Sequence, residues 1–363
     1  LLSVRGIWSR ISDSIPGSNS SGIFDNMLSN DQTPAMQQMR VLLVRSYDPF
    51  QAEIVLRDIP SPGPDALRIR VHAAGVSFVD ALTARGQYQI KPELPYIPGS
   101  ECAGVVEAVG AHVRNFRPGQ RVCALSSNGV YAERLCVEAA AVAPLPASMS
   151  FAGGAIIRVA HGTALYALAQ RGRLAAAERL LVLGAGGATG LAAIEIGKAL
   201  GAYVIAAASS EAKRAACRNA GADAVVGSDP AGLRGALKDL LGDASLDVVF
   251  DPVGGPLTEA AFRCLGWNGR HLVIGFASGA ITSLKANLAL LKGSALVGVN
   301  LGQFVSREPE AAAANLARIM QLYEAGRLRP RIARILPLAQ SLEAFDLAAS
   351  GAASGRIVLE MCG

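Results

Sequence analysis

Residues 184–190 read GAGGATG and sit between four apolar residues, Leu180, Leu181, Val182 and Leu183, and the run LAAIEIGKAL. Glycines at such density let a backbone approach a bulky anion where side chains would block it. The apolar positions that follow, Leu191, Ile194, Ile196 and Leu200, fall at roughly helical spacing. A buried strand, a tight turn and a helix start would aim free N–H groups and the positive end of a helix dipole at one point. That arrangement binds a pyrophosphate. Gly187 and Gly190 match the last two glycines of the dinucleotide fingerprint, and Ala185 stands at the first. Gly184 and Gly186 keep the turn flexible, and Ala188 and Thr189 complete it. Taken alone, the cluster also fits an ordinary glycine-rich turn.

A second apolar run, 203–208, follows at the spacing of the next parallel strand. NAD-specific proteins carry an acidic residue at its end for the ribose 2′-hydroxyl. Here the chain continues Ser209, Ser210, Glu211, Ala212, Lys213, Arg214. A hydroxyl with two cations suits a 2′-phosphate. Ser209, Lys213 and Arg214 therefore predict NADPH. The alternative is that the two cations line the solvated face of the next helix, with Glu211 among them.

The elements that position these residues follow from composition and pattern. The chain has 363 residues, 51% hydrophobic and 17% charged, as buried parallel strands require. A net charge of +5 without a dense basic block gives nucleic acid no footprint. The six cysteines are dispersed with no C-x-x-C, predicting reduced core thiols and a cytoplasmic protein. No apolar run is long enough for a membrane span. Residues 1–38 are rich in Ser, Asn and Asp and read as a disordered leader. Arg5 and Arg10 among serines resemble a transit peptide, and Asp13, Asp25 and Asp31 argue against one.

Strands are predicted over 41–44, 53–57, 67–76, 102–109, 120–125 and 130–137, with a short helix over 78–84. A helical stretch over 151–171 bridges to an alternating region: strand 224–226, helix 231–241, strand 247–250, helix 257–265 and strand 271–274. The remainder reads helix 308–324, strand 332–336, helix 342–349 and strand 357–359. The class is α/β, with a doubly wound parallel sheet over 180–299. The boundaries drawn are 39–158 for a mainly β domain, 159–299 for the dinucleotide domain and 300–363 for a return to the first.

Further blocks are AAGVSFVDALTARGQY (73–88), LPYIPGSECAGVVEAVG (94–110), HGTALYAL (161–168), DVVFDPVGG (247–255) and LVIGFASG (272–279). In this order, with the glycine loop, they make the chain from residue 40 on resemble the zinc-independent medium-chain dehydrogenase/reductases of the quinone oxidoreductase (zeta-crystallin-like) branch. The resemblance implies a GroES-like mainly β catalytic domain split around a Rossmann domain. It also implies a homodimer formed through the Rossmann sheets.

The zinc branch of that superfamily holds its metal with a Cys, a His and a later Cys. The matching positions here are Ser77, Ser100 and Val159, none of which is a good zinc ligand. The four-cysteine structural lobe is missing too. Reduction of a quinone or an activated C=C needs a held nicotinamide and a donor to the carbonyl oxygen. The resemblance puts Tyr88 in the substrate cleft as a proton donor, and Ser77 where an Asn is usual. His161 takes the place of a frequent Tyr, either as a donor near neutral pH or as a packed interdomain histidine. The family's other tyrosine is Leu82. Asp251, through the turn it opens, and Gly275 and Phe276 are implied to flank the nicotinamide and its ribose. Gly355 and Arg356 stand as a late phosphate contact, or Arg356 as a surface cation. His72, His112 and His271 show no ligand-like spacing. The activity implied is NADPH-dependent hydride transfer to a small quinone or enone. An enoyl-thioester reductase and a non-catalytic NADPH-binding protein are the alternatives.

Overall fold

The computed structural model describes residues 37–361, so the leader up to Met36, and Cys362, lie outside the described residues. The chain opens with a hairpin, β1 (Gln38–Tyr47) and β2 (Phe50–Asp58), then β3 (Ala66–Val76), α1 (Phe78–Ala84), β4 (Glu101–Val109), β5 (Arg121–Leu125), β6 (Arg134–Glu138) and β7 (Val142–Pro144). Two short helices, α2 (Phe151–Gly154) and α3 (Ile157–Leu165), run into a π-helical turn at Tyr166–Arg171. An alternating region follows: β8 (Arg179–Val182), α4 (Ala188–Ala199), β9 (Tyr203–Ala208), α5 (Glu211–Asn219), β10 (Ala224–Gly227), α6 (Leu233–Leu241), β11 (Leu246–Asp251), α7 (Pro256–Phe262), β12 (Leu265–Val273), α8 (Ala286–Lys292) and β13 (Ala295–Gly298). The chain ends with α9 (Leu301–Arg307), α10 (Pro309–Glu324), β14 (Ile332–Pro337), α11 (Ser341–Ser350) and β15 (Arg356–Glu360).

The six strands β10-β9-β8-β11-β12-β13 form one sheet in that order, all parallel. This is the doubly wound class expected. Alternation within one strand shows why the run at 180–183 is apolar throughout. Leu180 and Val182 pack with Leu191 and Ile194 of α4, whereas Leu181 and Leu183 pack with Leu237 of α6 and Phe262 of α7. A strand buried on both faces has no polar side. The second large sheet has the order β14-β15-β3-β4-β5-β7, with β6 added on β3. Its last strands come from the end of the chain: β15 pairs antiparallel with β3, Val358 opposite Gly75.

Several predicted elements shift. The helical stretch over 151–171 is broken: α2 caps off at Ala155, and Ile156 begins a new helix with φ −130°. The strand over 130–137 begins only at Arg134. Residues 265–270, partly read as helix or loop, belong to β12, where Asn268 takes a φ of +59° beside two glycines. That turn-like composition hides a strand. Helices α8 and α9 have seven residues each, and no periodicity marks them.

The described cysteines are all free. Burial pushes the Cys102 thiol to about 12, and Cys123 and Cys217 to about 11. At pH 8 each is on the order of a thousandth thiolate or less. Iodoacetamide should therefore leave all three unmodified in the native protein and modify them after denaturation, as read by peptide mass spectrometry.

Candidate active site

The glycine loop joins β8 to α4, and its geometry explains each residue type. Gly184 has φ +56°, a conformation that side chains strain to adopt. A Cβ on Gly190 would lie 2.5 Å from the Gly184 carbonyl oxygen and 2.6 Å from the Ala185 Cα. On Gly186 it would strike the Lys213 stem at 2.7 Å. Ala185 is fully buried, and its N–H donates to the Ala207 carbonyl at 3.0 Å. It anchors the turn to the neighbouring strand, so an alanine serves where a glycine is usual. Gly187 is the N-cap of α4 and supplies no side-chain cap. The N–H groups of Ala188, Thr189 and Gly190 thus have no acceptor in a preceding turn.

The end of the chain closes on this loop. Gly187 bridges to Gly355 in parallel fashion, and Lys213 Nζ donates to the Gly351 carbonyl at 2.7 Å. Ser354 Oγ and Arg356 Nε are buried without partners beside it. Arg356 is no surface cation. It is 6% exposed, and its guanidinium donates to the fully buried Glu101 carboxylate. Glu101 also accepts the Val159 N–H at 3.0 Å. The uncapped helix start, the loop that only glycine permits and the two orphaned donors fit a bound diphosphate.

Of the residues expected to read the 2′-position, Ser209 is exposed at the end of β9. Ser210 caps α5, accepting the Lys213 N–H at 3.3 Å. Arg214 donates to Glu211 at 2.9 Å and to the Ala208 carbonyl at 3.2 Å, and Arg218 shares Glu211. Lys213 is thus tied to the end of the chain, and Arg214 to Glu211 of its own helix and to the end of β9.

Asp251 ends β11 and is 2% exposed. Its Oδ1 accepts the Val253 and Gly254 N–H groups, both at 2.9 Å. Its Oδ2 accepts Thr258 Oγ1 at 2.5 Å and His271 Nε2 at 2.9 Å. Burial raises its pKa, but the His271 contact, Thr258 and the Gly254 N–H outweigh burial and lower it on balance. Four donors fill a carboxylate's acceptor sites. Asp251 consequently shapes the turn from within and has no carboxylate oxygen left for a ligand. Gly275 and Phe276 follow β12; the Gly275 N–H reaches back to the Asp251 carbonyl at 3.4 Å, and Phe276 is 41% exposed.

The three expected donors sit on separate elements, each with its own partners. Ser77 is the N-cap of α1: its Oγ accepts the Asp80 N–H at 2.9 Å, and Asp80 Oδ2 accepts the Ser77 N–H at 2.8 Å. That leaves the hydroxyl proton to donate. Tyr88 lies half-buried in the loop after α1, with Gln89 Nε2 at 3.4 Å from its hydroxyl. His161 is 3% exposed in α3, with Nε2 2.9 Å from Glu195 of α4. Glu195 also accepts the Arg329 N–H at 3.2 Å. Among the described residues no hydrogen bond links Ser77, Tyr88 and His161. The pairings Glu101–Arg356 and Asp251–His271 had no signal in the sequence, since their partners are separated by strands and lack motif spacing.

The described residues contain no group of three or more His, Cys, Asp or Glu placed to hold a metal ion, and no helix long and apolar enough to cross a membrane. Two family models match: "Alcohol dehydrogenase GroES-like domain" over residues 63–147 and "Zinc-binding dehydrogenase" over 188–318. The chain is 34% identical over 304 residues to quinone oxidoreductase-like protein 2 of Rattus norvegicus, covering 83% of this chain and 87% of the relative. It is 33% identical over 303 residues to the quinone oxidoreductase of Sus scrofa, covering 83% and 91%. A mycobacterial protein solved in complex with NADPH superposes with a TM-score of 0.81 at 27% identity, covering 89% of this chain and 99% of that one.

Proposed function

The chain belongs to the quinone oxidoreductase family of medium-chain dehydrogenases/reductases, and from that premise we propose that it is an NADPH-dependent reductase of quinones or α,β-unsaturated carbonyls, working without zinc. The observation that carries the reading is the uncapped start of α4 over Gly186, Gly187 and Gly190, flanked by the unpartnered Ser354 Oγ and Arg356 Nε. A bound nicotinamide supplies the hydride. The loop N–H groups hold the diphosphate, and Lys213 and Arg214 face the 2′-phosphate. Gly275 and Phe276 wall the ring. Tyr88 donates a proton to the acceptor oxygen, helped by the Ser77 hydroxyl, while His161 orients α3 against α4 through Glu195. The donor set at Ser77, Ser100 and Val159 does not fit zinc. A homodimer is part of the reading: among the described residues β13 is one of the two edges of its sheet, and Leu290, Leu291 and Leu296 near it are exposed.

The test is consumption of NADPH and NADH by the full chain with a naphthoquinone, an alkenal and crotonyl-CoA, with and without chelator. Chelator-resistant, NADPH-selective turnover of quinone or alkenal supports the proposal. Preference for the thioester moves it to an enoyl reductase, and chelator sensitivity removes the zinc-free part. Tight NADPH binding with no turnover leaves a binding protein. Charge reversal in Lys213→Glu/Arg214→Glu should raise the KM for NADPH by about 10- to 100-fold, the value of one to two charge-assisted bonds. The KM for NADH should stay within about threefold by the same measure, because its ribose has no phosphate to lose.

A further inference from the structure

Two segments meet at the nicotinamide end of the parallel sheet: the turn 252–255 after β11 and the stretch 274–282 after β12. Both depend on Asp251. Its carboxylate fixes the Val253 and Gly254 N–H groups, and its carbonyl accepts the Ile274 N–H at 2.9 Å. Thr258, which donates to Asp251, lies 2.9 Å from Thr282 Oγ1, whose single proton is shared between Thr258 Oγ1 and the Gly255 carbonyl at 3.1 Å. The turn holds two consecutive glycines in the left-handed region, Gly254 at φ +72° and Gly255 at φ +63°. Such a turn has many alternatives unless its N–H groups are pinned.

Three backbone hydrogen bonds also join the two segments: Gly255 N–H to the Ala280 carbonyl at 3.1 Å, Ala277 N–H to the Pro252 carbonyl at 3.1 Å and Ser278 N–H to the Val253 carbonyl at 2.9 Å. An open cleft of about 370 Å³, lined by Asp251, Thr258, Val273, Phe276, Thr282 and Leu296, lies along the stretch that carries Phe276. The turn touches both halves of the candidate cofactor site. A Cβ on Gly184 of the phosphate loop would meet Val253 at 2.7 Å, and one on Gly254 would meet Phe276 at 2.8 Å. At the root of the network lies His271. It is fully buried in β12, and its Nε2 faces the Asp251 carboxylate, which can only accept. Nε2 therefore carries a proton. Nδ1 is buried without a partner. A polar ring left half-satisfied in a sheet core is costly, and an apolar residue would pack there without that cost.

We infer that His271 is a positioning residue for hydride transfer: through Asp251 it sets the turn 252–255 and the Phe276 wall, and so fixes the nicotinamide ring against the acceptor. The inference rests on the reading of the site as an NADPH-dependent reductase. His271 itself touches neither cofactor nor substrate.

The variants are His271→Phe, near in shape without the donor, His271→Gln, whose amide N–H can replace Nε2, and Thr258→Val, which removes one donor with little change in shape. In the cofactor-free protein, amide exchange at Val253, Gly254 and Gly255 should accelerate at least tenfold in His271→Phe and Thr258→Val, and return toward wild type in His271→Gln. With NADPH and the best acceptor, kcat should fall about 10- to 100-fold in His271→Phe, since a misplacement of about 1 Å costs that much. The KM for the acceptor should stay unchanged, and the primary isotope effect from 4-deuterated NADPH should rise as hydride transfer becomes limiting. An isotope effect and turn exchange equal to wild type, with activity lost only in proportion to unfolded protein, overturn the inference. Exchange that rises alike throughout both sheets overturns it as well. A wild-type chain that neither binds nor oxidises NADPH overturns the reductase reading instead, whatever the exchange results show.

Discussion

Gly190→Val is expected to abolish NADPH binding, weakening it at least about 100-fold, or roughly 3 kcal/mol. The atoms in the way of a new Cβ are backbone: the Gly184 carbonyl oxygen, the Ala185 Cα and the Ala185 carbonyl oxygen, all within 2.8 Å. No rotamer change relieves such a clash. The loop must move as a unit, and the N–H groups at the start of α4 then lose their common focus. Gly187→Ala is the control. Its backbone at φ −80° is ordinary, and the nearest atom to an added Cβ is 3.4 Å away. This variant should fold like wild type, so any loss of binding reports on the ligand's own space above the loop. Calorimetric titration with NADPH, beside thermal melts of both variants, separates the two effects.

Arg356→Met should cost about 3–5 kcal/mol of stability, the usual result of stranding one member of a buried ion pair. Glu101 is fully buried, and its second oxygen is already committed to the Val159 N–H. Deleting the guanidinium leaves a carboxylate with no access to water. The double variant Glu101→Met/Arg356→Met should recover most of that loss, because it removes both charges together. Denaturant midpoints on the three proteins measure the difference. Arg356 also follows Gly355, which bridges to Gly187, so the single variant should weaken NADPH binding as well. An effect on stability without one on binding would confine Arg356 to the scaffold.

Glu101 opens β4, and its carboxylate accepts the Val159 N–H of α3. A carboxylate and a guanidinium thus join β4, α3 and β15. The joint is one residue from Gly355, which bridges to Gly187 of the glycine loop.

What the sequence determined by itself was local and repetitive. The apolar run before residue 184, the glycines after it and the helical spacing beyond specify a strand, turn and helix start, because period and backbone freedom act between near neighbours. The order of strands and helices then leaves few ways to wind a parallel sheet, so the fold class and its loop were legible together. The tertiary structure alone decided which side chains complete the site. Arg356 meets Glu101 across 255 positions, and His161 meets Glu195 across 34. His271 reaches Asp251 across 20, from the seventh position of β12, between Arg270 and Leu272. A side-chain hydrogen bond has a range of about 3 Å, and its partner is set by strand register and sheet order rather than by distance along the chain. No spacing rule encodes that.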